Sequence, residues 1–253
     1  MRLIDSHVHL DGLRDADGAI ARARDAGVGG VVAVGGNLET SSGALDAAIR
    51  HPGYVFPGIG VHPADALKVD VGEAVAFADS HASEAVVIGE IGLDYAYGFA
   101  KPSDVRERMR ALYSGLLDVA EAHSLPVSVH SRSAYGDALK LLRGRDVPGA
   151  VFHWFDGPLH VLREVLDAGY YVSATPAAIY SRGHMAVVSE TPLERMLVET
   201  DSPVYLRHEA RDSEPSDVRL TVRAVAELKG VETEEVAQVS ARNAEHLFRL
   251  PPV

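Results

Sequence analysis

Two histidines stand two residues apart near the start of the chain, in Asp5-Ser6-His7-Val8-His9. Side chains i and i+2 of a strand lie on one side. His7 and His9 therefore aim both imidazoles at one point, as two neighbouring ligands of a metal must. The spacing alone is a weak signal, because two ordinary histidines at a surface turn would look the same. Other residues of the same chemistry sharpen it. They are His62 in Gly-Val-His-Pro, Glu90 and Asp94 in Gly-Glu-Ile-Gly-Leu-Asp, His130 and Arg132 in His-Ser-Arg, His153 in His-Trp-Phe, and Glu199 and Asp201 in Glu-Thr-Asp-Ser-Pro. Together His7, His9, His130, His153, Glu90 and Asp201 would hold two divalent metals, with Glu90 as the natural bridge. Two metals about 3.5–4 Å apart would share a water, lower its pKa and supply a hydroxide nucleophile at neutral pH. Asp201 is placed to bind a metal, to accept the water's proton, or both.

The elements that must position these groups recur as an apolar β-rich run, a Gly/Pro/Asp turn and an amphipathic stretch. The β runs are 2–6, 31–35, 54–60, 85–90, 126–130, 150–154, 170–174 and 196–199. Helical stretches fall near 16–26, 40–50, 71–82, 104–123, 135–144, 159–168, 185–190, 216–229 and 233–247, of which 185–190 is the weakest pattern. Several runs are continuous Val/Ile/Leu patches, as expected of parallel strands buried on both faces. Eight such runs alternating with helices predict an α/β fold, a (β/α)8 TIM-type barrel in one domain over residues 1–253. A doubly wound open sheet is disfavoured, because no Gly-rich phosphate loop follows the first run. In a barrel enzyme the chemistry sits where the strands end. Every polar cluster named above falls at that end of its run, whereas chance would scatter them.

The remaining residues carry alternative readings. His62 binds substrate phosphate, caps the metal pocket or makes a structural turn before Pro63, and Arg132 contacts phosphate or forms a salt bridge to a neighbouring Asp such as Asp137. Asp94 orients the loop after Glu90. Glu199, two before Asp201, faces the same side and backs a ligand histidine or is a satisfied interior group. Trp154 and Tyr180 stack on a base or pack the rim. His51, His81, His123, His160, His184, His208 and His246 lie on helices or outer loops and are not expected to be ligands.

Composition narrows the classes. The 253 residues contain no cysteine, which removes disulfides, thiolate sites and cysteine nucleophiles and leaves His, Asp and Glu to hold any metal. The net charge of −12 argues against a broad cationic groove that grips nucleic acid by counterion release. No apolar run approaches the ~20 residues of a membrane span, and no basic-then-apolar leader opens the chain. A cytoplasmic protein with no membrane association and no obligate protein partner is the expectation.

In the order and spacing of these motifs, together with the terminal Asn243-Ala-Glu-His-Leu-Phe248, the chain resembles the TatD-family metal-dependent hydrolases from residue 1 to about 249. The resemblance implies one metal on His7, His9, Glu90 and Asp201, and a second on Glu90, His130 and His153, with Mg, Mn or Zn serving. It also implies hydrolysis of phosphodiester bonds in DNA, as a 3′-5′ exonuclease acting on single strands or 3′ ends. The loops after His153, after the seventh run (Thr175-Pro176-Ala-Ala-Ile-Tyr180) and after Asp201 (205–215) depart from the family pattern, as does the fourth helix, which lacks the expected glutamines. These departures touch the substrate rim and leave open another ester or amide substrate: a small-molecule amidohydrolase or lactonase substrate, a deaminase substrate, or an aminoacyl-tRNA ester. A non-catalytic barrel with structural metal is the third class, set back by the open metal positions expected here.

Overall fold

The computed structural model describes residues 3–206 and 209–252. Eight strands lie side by side in chain order, each parallel to the next: β1 (Ile4–Val8), β2 (Gly30–Val34), β3 (Val55–Ile59), β4 (Val87–Gly92), β5 (Val127–His130), β6 (Ala150–Phe152), β7 (Tyr171–Ala174) and β8 (Met196–Val198). The last meets the first through the parallel bridge Val8–Ser202. Helices follow the strands: α1 (Ala16–Asp25), α2 (Leu38–Arg50), α3 (Val71–His81), α4 (Ser103–Ala122), α5 (Tyr135–Leu142), α6 (Leu159–Asp167), α7 (Arg182–Glu190), α8 (Val218–Lys229) and α9 (Thr233–Phe248). The architecture is the expected (β/α)8 barrel.

Strands β1 to β4 are buried throughout, which is why their sequences read as apolar runs and not as alternating ones. The helices start at the chemistry the sequence supplies. The side chains of Asp15, Asn37, Asp70 and Ser181 each accept a first-turn backbone N–H of the helix that follows. At the floor, Ile4, Val32, Phe56, Val87, Val151 and Leu197 from the strands share one cluster with Leu247 and Phe248 of α9. The last helix therefore plugs the barrel end opposite the polar clusters. Asn243 Nδ2 fixes it there by donating to the carbonyls of Leu193 and Met196, at 2.7 and 2.8 Å.

Some boundaries move. The first run continues to Val8, so His7 lies inside β1 with His9 just past its end. The fourth extends to Gly92, placing Glu90 inside β4. The weak stretch at 185–190 is a full helix from Arg182, capped by Ser181. After Asp201 the chain forms a hairpin, β9 (Tyr205–Leu206) with β10 (Arg211–Asp212), which local pattern did not announce. Arg2 and His208 lie outside the described residues.

Candidate metal centre

β1 delivers His7 and His9, and β4 delivers Glu90 beneath them. His7 Nε2 and His9 Nε2 lie 3.3 Å apart, at 3.7 and 3.4 Å from Glu90 Oε2 and at the same distances from Asp201 Oδ1. On the other side, His130 Nδ1 and His153 Nε2 each come within 2.7 Å of Glu90 Oε1 and 3.2 Å of each other. The structure thus gathers His7, His9, Glu90, His130, His153 and Asp201 at one point, with Glu90 in the middle. It also adds His62. Its Nε2 stands 3.3 Å from His130 Nδ1 and 3.6 Å from Glu90 Oε1. One donor atom per residue falls within 4.8 Å of the others in three groups: His7–His9–Asp201, His7–His153–Glu199 and His62–Glu90–His130. The last places His62 beside Glu90 and His130, where a cap on the pocket would stand.

The backbone at these positions is specialised. Trp154 (φ 40°) and Asp201 (φ 51°) both adopt the left-handed region just past a strand end, at a cost of about 1–3 kcal/mol for a non-glycine residue. Hydrogen bonds hold them. Trp154 N donates to Ser173 Oγ (2.9 Å) and Glu199 Oε1 (3.1 Å), and Asp201 N to the His7 carbonyl (3.0 Å). Gly92 has φ 146°, and a Cβ there would lie 2.0 Å from the His130 carbonyl oxygen. Gly89 presses as closely on Ser128, where a Cβ would stand 2.6 Å from the serine Cβ. Both glycines let β4 lie against β5 so that Glu90 and His130 meet.

Three groups support the cluster from behind. Asp94 is wholly buried, and its Oδ2 lies 2.8 Å from His130 Nε2 while accepting Arg132 Nε at 2.9 Å. Its Oδ1 accepts the Ala96 N–H at 2.8 Å, so it also orients its own loop, as expected. Glu199 stands behind His153, with Oε1 3.4 Å from Nδ1. Ser128 Oγ lies 3.3 Å from His7 Nδ1. Ser128 had not been singled out. Its position two before His130 on β5 was the available signal. The salt bridge considered between Arg132 and Asp137 does not form. Asp137 instead accepts Arg110 Nη2 (2.7 Å) and the Tyr95 hydroxyl (2.9 Å), while Arg132 pairs with Asp94 and lies over the Tyr97 ring at 4.7 Å. His184 is a structural histidine as expected. It is buried, with Nε2 accepting the Thr175 N–H at 3.0 Å and Nδ1 2.9 Å from the Phe155 carbonyl.

Electrostatics follow from burying several imidazoles around two anions. Burial works to raise the Glu90 carboxyl, yet the surrounding imidazoles, with hydrogen bonds from His130 and His153, hold it well below the usual range. Asp201 is lowered against burial by His9, His7 and His153. Burial would depress His9, but Asp201 and Glu90 push it up to about 10. His153 and His130 are raised in the same way by their carboxylate partners. His62, where burial dominates, falls to about 4 and is neutral at physiological pH. So in the metal-free cluster, protons on imidazoles balance Glu90 and Asp201. Nitrogens facing one another at 3.2–3.3 Å cannot all donate. Cations in place of those protons would take every lone pair in the cluster, and the donor set of imidazoles and carboxylates suits Zn, Mn or Mg. The residues therefore fit the divalent ions that the resemblance implies.

The cluster floors a cavity of about 600 Å³ at the strands' C-terminal ends, lined further by Arg132, Tyr97, Tyr135, Asp156, Trp154 and Tyr180. Trp154 and Tyr180 thus sit on the wall of the site.

Comparison with known proteins agrees. The family model described as TatD related DNase matches residues 4–249. The human protein named deoxyribonuclease TATDN3 is 32% identical, with 97% of this chain and 94% of that protein aligned. The Pectobacterium carotovorum protein named 3′-5′ ssDNA/RNA exonuclease TatD is 33% identical over 94% of each. The crystal structure of the Escherichia coli TatD homologue YjjV superposes with a TM-score of 0.89 at 27% identity and covers 99% of both chains.

Proposed function

Because the chain belongs to the TatD-related DNase family, we propose that it is a two-metal phosphodiesterase removing nucleotides from the 3′ ends of single-stranded DNA. The observation that carries this reading is the convergence of His7, His9, His130, His153 and Asp201 on the two oxygens of Glu90 at the floor of an open cavity. His7, His9, Glu90 and Asp201 would hold one divalent ion, and Glu90, His130 and His153 the other. Bound there, such ions supply Lewis acidity and acidify the attacking water.

The protein's own groups do the rest. Asp201, anionic and facing His9, is placed to take the proton of the attacking water. Asp94 fixes the His130 ring through Nε2, leaving Nδ1 turned to the centre. Arg132, fixed by Asp94 and Tyr97 yet half exposed to the cavity, is placed to grip a phosphate oxygen. His62, neutral, offers a hydrogen-bond donor beside it. Trp154 and Tyr180 offer ring faces to a base. The reading places the enzyme in the cytoplasm. No helix of the described residues is long and apolar enough to cross a membrane.

The test is hydrolysis of 5′-labelled single-stranded DNA by metal-stripped protein reloaded with Mg, Mn or Zn, beside Asp201→Asn. Stepwise shortening from the 3′ end, reduced by about 10²–10⁴-fold in the variant, is expected for loss of a positioned proton acceptor. Turnover of a generic ester without cleavage of any nucleic acid would replace this reading with a small-molecule hydrolase, which the acidic residues Asp11, Asp65 and Asp156 around the mouth would suit.

A further inference from the structure

The mouth of the barrel sets an acidic rim around a charge-balanced centre. Glu90 and Asp201 at its centre are balanced by whatever cations they hold. Further out, Asp11, Asp65 and Asp156 line the cavity, and Arg132 is the one permanent cation among the described lining residues. Two cations on neighbouring loops, Lys68 and Arg211, are already paired. Lys68 Nζ donates to Asp65 at 2.6 Å, and Arg211 grips Asp217 through both terminal nitrogens at 2.7 Å. The chain as a whole carries −12. Proteins that follow a long single strand need a cationic groove along its backbone, with aromatic rings for successive bases. Here the aromatic rings Trp154, Tyr180 and Tyr97 are present, but the cationic track is not seen among the described lining residues.

Resting on the phosphodiesterase reading, we propose that the preferred substrates are short: dinucleotides and oligonucleotides of a few residues. One phosphate sits between the metal centre and Arg132, and one or two bases lie against the aromatic wall. Each additional phosphate of a longer strand meets Asp11 or Asp156 and gains nothing. The cavity, about 600 Å³, is of the size that encloses a small ligand. The enzyme would then finish what longer-range nucleases leave and would depend on a reaction class that first fragments nucleic acid.

The experiment measures kcat/KM of the Mn-loaded enzyme on a length series from dinucleotide to long single strand, at low and high salt. The expected result is a plateau, with kcat/KM rising less than about threefold beyond the tetranucleotide, and a log–log salt slope near −0.7, the value for one contacted phosphate. The double variant Asp11→Asn/Asp156→Asn should raise kcat/KM on the long strand, while the dinucleotide stays within about twofold. A steep rise with length together with a salt slope of several contacted phosphates would overturn the proposal and leave the nuclease reading intact. Failure to cleave nucleic acid of any length would overturn both.

Discussion

His130 and His153 face the same oxygen of Glu90, but they are held from behind in different ways. His130, on the cavity side, has Asp94 at 2.8 Å, and that carboxylate is fixed in turn by Arg132 and by the Ala96 N–H. His153, deeper in, has Glu199 at 3.4 Å, and its Nδ1 lacks a proper hydrogen-bond partner. What holds His153 is contact: its ring stacks on His7 at 4.1 Å and an interplanar angle of 9°. The difference teaches that a ligand near solvent needs directional support, while a buried one can be fixed by its neighbours. It also ties the solvent-side ligand to the group placed to meet substrate, since Asp94 serves both His130 and Arg132.

The comparison can be broken most directly by metal affinity. Asp94→Asn should weaken divalent-metal binding about 10–100-fold, and Glu199→Gln clearly less. Calorimetric titration of the stripped proteins with zinc measures both, and equal losses would refute the contrast. A smaller effect separates the two duties of Asp94. Arg132→Ala removes one charge-assisted contact, worth about 1.5–3 kcal/mol, so KM for a phosphodiester should rise about tenfold or more. Zinc affinity should hold, and a parallel fall in it would mean that Arg132 acts through His130.

Proton release sharpens the picture further. Asp201 and Glu90 raise His9 to about 10, and His130 and His153 are raised as well. His9 is therefore protonated in the metal-free protein at neutral pH, and a ligand nitrogen must give up its proton. Metal loading at pH 7.5 should therefore release protons, and affinity should fall with falling pH. Calorimetry in buffers of different ionisation enthalpy reads this directly, and a loading without proton release would contradict the charge pattern.

The smallest effect concerns His184, which touches no ligand. Burial lowers its imidazole below the ordinary value, so the unfolded chain binds a proton that the folded one refuses. The stability this gives is present above about pH 6.5 and is lost as pH falls below it. Wild-type Tm should drop by about 2–4 °C for each kcal/mol lost on acidification. His184→Gln should show a shallower slope over the same interval.

Much of this was readable from residue spacing. The barrel followed from β runs alternating with amphipathic stretches. The six metal-ligand candidates followed from polar groups stationed where those runs end, and the structure brings all six together. What escaped was whatever depends on a partner distant in sequence. Arg132 lies near Asp137 in the chain, but the fold hands it to Asp94, on another strand's loop. His62 keeps three readings, phosphate contact, pocket cap or turn before a proline, until β3 and β5 are set beside β4. The close approach of Gly89 and Gly92 to β5 shows only once that strand is seen against them. The hairpin after Asp201 pairs two residues with two, too few for any periodicity to register.

The seam between first and last strands has a consequence for the order of events during synthesis. Asp201 N donates to the His7 carbonyl and His9 N to the Ser202 carbonyl, so the centre joins residues translated with the first strand of the barrel to residues translated after its eighth. A nascent chain that has delivered His7, His9 and Glu90 still lacks Asp201. The cluster of imidazoles and carboxylates is thereby completed only after all eight strands of the barrel have been made.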